Sequence, residues 1–420
     1  MKAGFVWALA LLALAARADD SDMEALSLES GQASSPASQA RSWQLFVEAE
    51  AGRQVYRNDS LQKQSRSTQR VSLDFQSDVS LAPGLRGVLA DRLDLNAQRD
   101  LAGHKSINTL KDANLSWQPR ADAIVDLGRI NQYSGVAIGY NPTDFFRQGA
   151  LRSQTSFDPT LVKKNRQGSV MLRGQKLWQE SSLTAMYSPA LSSRGDASLL
   201  DTKWDATNRR DRGLLVFSHR LSKDLNPQWL VYKEQGSPPQ LGMNITKLLK
   251  DSTVAYFEWA GGQRPSLLAQ SQGQSGDKKF RNRVAAGLTY TTSNKLSLSL
   301  EYHYNGAAVN KPQWASLPVT SLSSYSRYRQ FAQWEQDMPT RREVMLYVKW
   351  QDVMTNNLDL AFMLQYNIDD ESRFFWTELR RHWRNHEAAV QWLRVDGQTF
   401  STYGWSPLNQ AWSVSYRYFF

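Results

Sequence analysis

The chain of 420 residues has no cysteine and only five histidines. No disulfide and no cysteine-ligated metal site can therefore form. An exported protein built as a closed sheet needs no disulfide, because it has no unpaired edge strand that a disulfide would have to hold in place. The histidines do not show the spacing of a zinc site, and neither a glycine-rich phosphate loop nor a nucleotide fingerprint occurs. We predict no metal and no cofactor.

A membrane-spanning helix is also absent from the sequence. Met1 and Lys2 precede an apolar run over residues 3–16, which is too short to span a bilayer, and Ala18 ends a small-residue cleavage site. Beyond it, no uninterrupted stretch of about eighteen apolar residues occurs. We predict a signal peptide over 1–18, which leaves a periplasmic soluble protein or an outer-membrane barrel.

The carboxyl terminus favours the barrel. Its apolar and aromatic residues recur at period two, as on one face of a strand that has lipid on one side and a wet lumen on the other: Trp412, Val414, Tyr416, Tyr418 and Phe420. The terminal phenylalanine resembles the signal by which bacterial outer-membrane proteins are recognised for insertion. We therefore predict Tyr416, Tyr418 and Phe420 as an assembly signal for the barrel-assembly machinery.

Composition agrees with a barrel in the outer membrane of a Gram-negative bacterium. The mean hydropathy is -0.54, yet 11% of residues are aromatic, with 15 Trp and 16 Tyr. Polar lumen residues and two aromatic girdles produce that combination. We predict an all-β transmembrane antiparallel barrel over 43–420. Residues 19–42 carry five acidic residues without periodicity, which favours a disordered periplasmic leader, with a small plug inside the lumen as the alternative.

Alternation and turn residues predict eighteen strands. They cover roughly 43–51, 68–81, 84–96, 107–118, 121–130, 166–176, 180–190, 211–222, 226–235, 240–249, 252–262, 279–292, 295–305, 341–352, 355–367, 372–383, 386–395 and 410–420. Links after even strands are short, including an apolar one at Val353-Met354, and those after odd strands are mostly long. Short periplasmic turns, long external loops and an even strand number are the rule for such barrels.

Charge predicts a basic interior. The chain has 50 basic and 40 acidic residues; removing three basic and five acidic ones before residue 43 leaves 47 against 35, or +12. Because the lipid face disfavours charge, strand alternation assigns basic side chains to the lumen or its rims, where they attract anions: Arg70, Arg86, Arg92, Arg173, Arg220, Arg283, Lys349, Arg380 and Arg417. Two alternatives stay open, namely ion pairs that brace the wall and basic loops that bind lipopolysaccharide.

Two long loops are candidates for function. We expect the loop 131–165 to fold inward as a constriction, because its aromatic residues avoid water, or else to pack on the rim. Its pore candidates are Tyr140, Asp144, Phe145, Arg147 and Arg152. The loop 306–340 combines aromatic residues with arginines, which suits acidic sugars and equally suits packing over the barrel mouth.

One row of residues has the composition of a hydrolase site. Ser299, Glu301 and His303 share a face of the thirteenth predicted strand. Period-two neighbours lie roughly 6.5 to 7 Å apart, which is too far for direct hydrogen bonds unless the side chains lean together. We therefore predict that the protein is not an enzyme and has no catalytic residues.

The eighteen-strand pattern, the basic lumen and the stretch from Asn141 to Phe146, Asn-Pro-Thr-Asp-Phe-Phe, resemble the alginate-export type of outer-membrane channel and its porin-like relatives. That resemblance implies a passive channel for an anionic solute, either an acidic polysaccharide or a small organic acid. The alternatives are a non-conducting scaffold or adhesin and a lipid-modifying barrel enzyme. Expected partners are outer-membrane lipid and lipopolysaccharide but not nucleic acid. The oligomeric state stays open, because monomers and trimers both use such barrels.

Overall fold

A computed structural model gives the fold of this chain. The structure describes residues 42–57, 65–98, 104–191, 206–274 and 276–420. The predicted signal peptide, 1–18, and the leader, 19–42 apart from Ser42, lie outside the described residues.

Eighteen antiparallel strands form one sheet that closes on itself, so the predicted all-β barrel is confirmed. The strands are β1 Trp43–Tyr56, β2 Ser65–Ala82, β3 Leu85–Asn96, β4 Ser106–Arg120, β5 Ala123–Ile130, β6 Ser169–Leu177, β7 Ser181–Ser188, β8 Arg212–His219, β9 Gln228–Glu234, β10 Gln240–Lys250, β11 Thr253–Arg264, β12 Lys279–Thr291, β13 Leu296–Asn305, β14 Arg342–Trp350, β15 Leu358–Asn367, β16 Arg373–His382, β17 His386–Asp396 and β18 Leu408–Phe419.

The first and last strands close the barrel. β1 pairs with β2 on one side and with β18 on the other, in a register that runs from Phe46 opposite Phe419 to Tyr56 opposite Leu408. The backbone N–H of Phe420 donates to the carbonyl of Leu45, so the terminal phenylalanine is tied to the first strand. Closure leaves no unpaired strand edge in the described wall.

The period-two pattern of the last strand produces two faces. Trp412, Val414 and Tyr416 are about half exposed on the outer face, whereas Ser415 is only 6% exposed on the inner face. The inner face also holds Arg417, which pairs with Glu48 of β1. The apolar row therefore faces outward, as the alternation predicts.

Strand boundaries differ from the prediction mainly at the turns. β15 begins at Leu358 rather than at 355, because residues 351–357 form a turn in which Asp352, Met354 and Asn357 have positive φ angles. β6 begins at Ser169 rather than at 166, because Arg166 belongs to the preceding loop and pairs there with Asp144. Local tertiary contacts therefore set these ends.

The long connections contain short helices. α1 covers Pro159–Lys164, α2 Leu267–Ser271, α3 Lys311–Thr320 and α4 Leu322–Trp334. Asn310 begins α3 with a capping box, in which its side chain accepts from the Gln313 N–H and the Gln313 side chain accepts from the Asn310 N–H. Among the described residues, no helix is long and apolar enough to cross a membrane.

Candidate functional site

The connection between β5 and β6, residues 131–168, folds into the barrel and is called the inner loop below. Its main anchor is Glu258, an inward-facing and fully buried residue of β11. One Glu258 carboxylate oxygen accepts from the backbone N–H and hydroxyl of Thr143, at 2.7 and 2.8 Å. The other accepts from the N–H groups of Val136 and Ala137 and from the side-chain amide of Asn141. Five donors therefore converge on one carboxylate.

Glu301 on β13 is the second anchor. Its two carboxylate oxygens accept from the backbone N–H groups of Ile138 and Gly139. The hydroxyl of Tyr256 donates to Glu301 over 2.7 Å, and His303 lies 2.8 Å from its other oxygen. These side contacts fix the carboxylate beneath the loop backbone, so Glu258 and Glu301 together determine where the loop crosses the lumen.

Small residues make room for the close approach of the inner loop. A Cβ at Gly139 would lie 2.4 Å from the sulfur of Met345 on β14, and one at Gly242 would lie 3.1 Å from a methyl carbon of Thr143. On β12, Ala285 is fully buried beside the loop. Larger side chains at these positions would push the loop away from the wall.

Aromatic and charged contacts hold residues 140–147 of the inner loop. The ring of Phe145 stacks on Tyr232 of β9 at a centroid distance of 4.4 Å. The Tyr140 hydroxyl donates to Asp337 over 2.6 Å, and Arg147 pairs with the same carboxylate at 3.2 Å. The inner loop is therefore joined both to the wall and to the connection 306–340.

Asp337 is the charged centre of that junction. Burial would raise the pKa of its carboxyl, but the guanidinium groups of Arg147 and Arg283 outweigh burial and hold the pKa below its ordinary value. Asp337 is thus a buried carboxylate balanced by two cations. Burial raises the pKa of the Tyr140 phenol above its ordinary value, and the nearby Asp337 adds to that effect.

The five pore candidates lie on the inner loop, but four of them are packed rather than open to the lumen. Tyr140, Asp144, Phe145 and Arg147 are each less than 9% exposed, and their partners are wall or loop residues. Arg152 is partly exposed. The geometry makes the four buried residues supports of the loop.

A cleft remains between the inner loop and the opposite wall, and is called the lumen cleft below. Its enclosed volume is about 10 Å³, which is about the space that one water molecule needs. The loop lines it with Thr155, Ser156, Leu161 and Asn165, and the wall with Glu48, Glu50, Arg92, Arg380, Gln391, Ser415 and Arg417. The lining is almost entirely polar and carries charges of both signs.

Known structures share this architecture. OccAB1 of Acinetobacter baumannii has a TM-score of 0.57 and 10% identity over 90% of this chain and 96% of its own. A BenF-like porin from Pseudomonas fluorescens Pf-5 has a TM-score of 0.56 and 8% identity over 90% of this chain and 98% of its own. The chain has the porin fold. No family profile and no curated protein matches it by sequence.

Most of the predicted basic residues of the barrel are ion-paired. Arg92 is 2% exposed and contacts Glu48, Asp74 and Asp94, and Arg380 joins Glu378 to Glu387. The other ion-paired members of the set are Arg70, Arg86, Arg173, Arg283 and Arg417. Arg220 is exposed beyond the end of β8, and Lys349 is partly exposed on the inner face. The pairs brace the wall and leave only part of the positive charge to act on solutes.

The second long connection, residues 306–341, packs over the mouth of the barrel. Trp314, Tyr325 and Tyr328 are each 3% exposed or less and form one apolar cluster with Leu267 of α2. Arg329 donates to the backbone carbonyls of the loop between β17 and β18 and holds that loop against α4. These three aromatic residues are therefore packing residues and do not form a sugar-binding surface.

Glu301 and His303 support the inner loop and do not form a nucleophilic triad with Ser299. The Ser299 hydroxyl is bonded to Thr289 at 2.7 Å, and His303 is fully buried between Glu301 and Glu343. The serine therefore has no contact with the histidine in the described structure. Among the described residues, no cluster of His, Cys, Asp or Glu is arranged to hold a metal ion.

The sequence analysis did not predict either loop anchor. Glu258 had no place in the prediction, and Glu301 was considered as a lumen acid and as part of a catalytic row, not as an anchor of the loop. A usable signal lies in the small inward-facing residues of β10 to β12, Gly242, Ala260 and Ala285, since a row of small residues facing a lumen marks a wall against which another segment packs.

Proposed function

We propose that this protein is a passive channel in the outer membrane. The observation that carries the proposal is the inner loop, which folds into the lumen and is fixed to the wall by Glu258 and Glu301. A loop fixed in this way sets the size limit of a diffusion pathway. The apolar outer face and the predicted signal peptide support the location in the membrane.

A lumen that the inner loop constricts favours small solutes. A path between the loop and the wall suits a small organic acid or a similar polar molecule better than an extended acidic polysaccharide. The side chains of Thr155, Ser156 and Asn165 present hydroxyl and amide groups on the loop side. Several weak polar contacts let a solute enter without being retained.

The charges favour anions. The cleft is lined by the carboxylates of Glu48 and Glu50 and the guanidinium groups of Arg92, Arg380 and Arg417, so its lining has one net positive charge. Exposed basic side chains at the long-loop end would attract anions to the mouth; they include Arg209, Lys278, Lys279 and Arg327. We infer a modest anion preference, because carboxylate partners neutralise much of the lumen charge.

The test is single-channel recording of the refolded mature protein in a planar bilayer, with the reversal potential measured under a salt gradient. Discrete openings with an anion-selective reversal potential are expected. Arg380→Gln combined with Arg417→Gln should shift the reversal potential toward cations, whereas Lys311→Gln, an exposed loop control, should not. A folded and inserted barrel that never conducts would overturn the proposal and favour a plugged scaffold.

A further inference from the structure

Three arginines lie on the outer face of the barrel wall near its long-loop end. Arg53 lies near the end of β1, Arg373 begins β16 and Arg394 lies near the end of β17. All three side chains are exposed, whereas the strand neighbours Phe374 and Leu393 are buried in an apolar cluster on the lumen side. Because side chains of a strand alternate between its two faces, Arg373 and Arg394 point outward.

The strand register brings the three arginines onto one stretch of wall, formed by β16, β17, β18 and β1. Arg53 stands opposite Trp412 of β18, which is 51% exposed on the outer face, so Arg53 also faces outward. Arg373 stands opposite Asp396, two residues beyond Arg394, so the Cα atoms of the two arginines are diagonal neighbours roughly 7 to 8 Å apart. Arg53 lies across β18 from Arg394, at roughly 12 Å. The three residues are called the arginine patch below.

The positive charge of the arginine patch is not neutralised by ion pairs. Arg53 donates to the hydroxyl of Ser65 over 3.0 Å, and the guanidinium of Arg373 lies 5.6 Å from the ring centroid of Tyr366. Within the described part of the chain, no carboxylate lies at ion-pair distance from the three guanidinium groups, in contrast to most lumen arginines. Asp396 is the only acidic residue at an outward position of these four strands, so three arginines against one aspartate leave a charge of +2.

Aromatic residues place the arginine patch at the level of lipid headgroups. The outward rings of Trp392 on β17 and Trp412 on β18 are 5.7 Å apart, and tryptophan on an outer wall concentrates at the membrane–water interface. Arg53 stands opposite Trp412, and Arg394 lies two residues beyond Trp392 toward the long loops. Since long loops mark the external end of such barrels, the patch faces the headgroups of the external leaflet rather than hydrocarbon.

We propose that the arginine patch binds the phosphate groups of lipopolysaccharide in the external leaflet. A guanidinium group pairs with phosphate through two parallel hydrogen bonds, which are stronger than those between neutral groups. The neighbours Arg373 and Arg394 hold one phosphate, and Arg53 reaches a second phosphate on the same headgroup. The site differs from a basic loop, because its side chains are fixed to strands of the wall. A glycolipid with two phosphates therefore suits it better than a phospholipid with one phosphodiester.

The inference goes beyond channel function and rests only on insertion of the barrel in the outer membrane. Lipid binding is measured without any current. A barrel that does not conduct can therefore still bind the lipid, and a conducting barrel can fail to bind it, so the two proposals fail separately.

Binding is measured on the mature protein refolded in a mild detergent, with diphosphoryl lipid A as the probe, native mass spectrometry as the readout and heat-dependent gel mobility as the check on folding. The wild type is expected to retain lipid A, and the triple variant Arg53→Gln/Arg373→Gln/Arg394→Gln should bind it roughly tenfold more weakly. Arg381→Gln, on the same face of β16 but at the short-turn end, should bind as the wild type does. A wild type that retains no lipid A, or a triple variant that binds equally well, would overturn the proposal.

Asp396→Asn gives a second test, which a folding defect cannot imitate. It removes the carboxylate that stands opposite Arg373, so lipid A should bind roughly two- to fivefold more tightly. Unchanged or weaker binding by a folded Asp396→Asn variant contradicts phosphate binding at this wall.

Competition identifies the source of the phosphate. Phosphatidylglycerol or inorganic phosphate, added at the same concentration as lipid A, should leave lipid A bound, because neither supplies two phosphates at the spacing of the patch. Displacement by either competitor would make the patch a general anion site and refute the assignment to lipopolysaccharide.

Discussion

Replacing Glu258 with alanine should release the inner loop from the barrel wall. The carboxylate accepts five hydrogen bonds from the loop, including those of Thr143, which is fully buried. A hydrogen bond to a charged group contributes about 1.5–3 kcal/mol net. Lumen water replaces part of the hydrogen bonding that is lost, so we count only the two hydrogen bonds from Thr143, each at about 1.5 kcal/mol. The loss is then about 3 kcal/mol, or roughly 150-fold in favour of the released loop.

Single-channel recording is the assay for this release. A released loop widens the path intermittently, so Glu258→Ala should show a higher mean conductance and larger current noise than the wild type. Trypsin should also cut the variant faster, because Lys163 of α1, which is partly buried and donates to the carbonyl of Ala137, becomes accessible. Glu258→Gln keeps one acceptor oxygen and should give an intermediate result.

Glu371→Ala is the matched control, since this glutamate is exposed and pairs with Lys311 outside the lumen. It should behave as the wild type in both assays. If Glu258→Ala has the conductance, noise and tryptic pattern of this control, the carboxylate does not hold the loop and the reasoning fails.

Three further predictions concern the loop contacts. Gly139→Val should displace the inner loop, because its Cβ site lies 2.4 Å from the Met345 sulfur, and should lower the thermal midpoint, whereas Gly276→Val, with open space at its Cβ, should not. Arg152→Gln should reduce anion preference in reversal-potential measurements, and unchanged selectivity would remove this residue from the solute path. Burial raises the pKa of the Glu335 carboxyl above its ordinary value, so the folded state binds this proton more tightly and the free energy of unfolding should fall as the pH rises past that ordinary value; a Glu335→Gln variant should lack this loss in thermal unfolding measured across that pH change.

Asp91 on β3 and Asn108 on β4, which are hydrogen-bonded to each other, show how much of the wall the sequence determines. The alternation of β3 places Asp91 in the same row as Leu89, Leu93 and Leu95, so the sequence pattern alone predicts that Asp91 points outward. The pattern does not predict the position of Asn108, because the bulge at Lys111 changes the parity within β4. A bulge depends on hydrogen bonding across strands, which no local pattern records.

The sequence by itself determined the barrel and its eighteen strands, because lipid on one side and water on the other constrain every second residue of every strand. It also predicted an inward loop from residues such as Tyr140 and Phe145, which avoid water. Only the tertiary structure decided which wall receives that loop. Glu258 and the Thr143 backbone meet across more than a hundred residues of chain, and closure of the sheet brings them together.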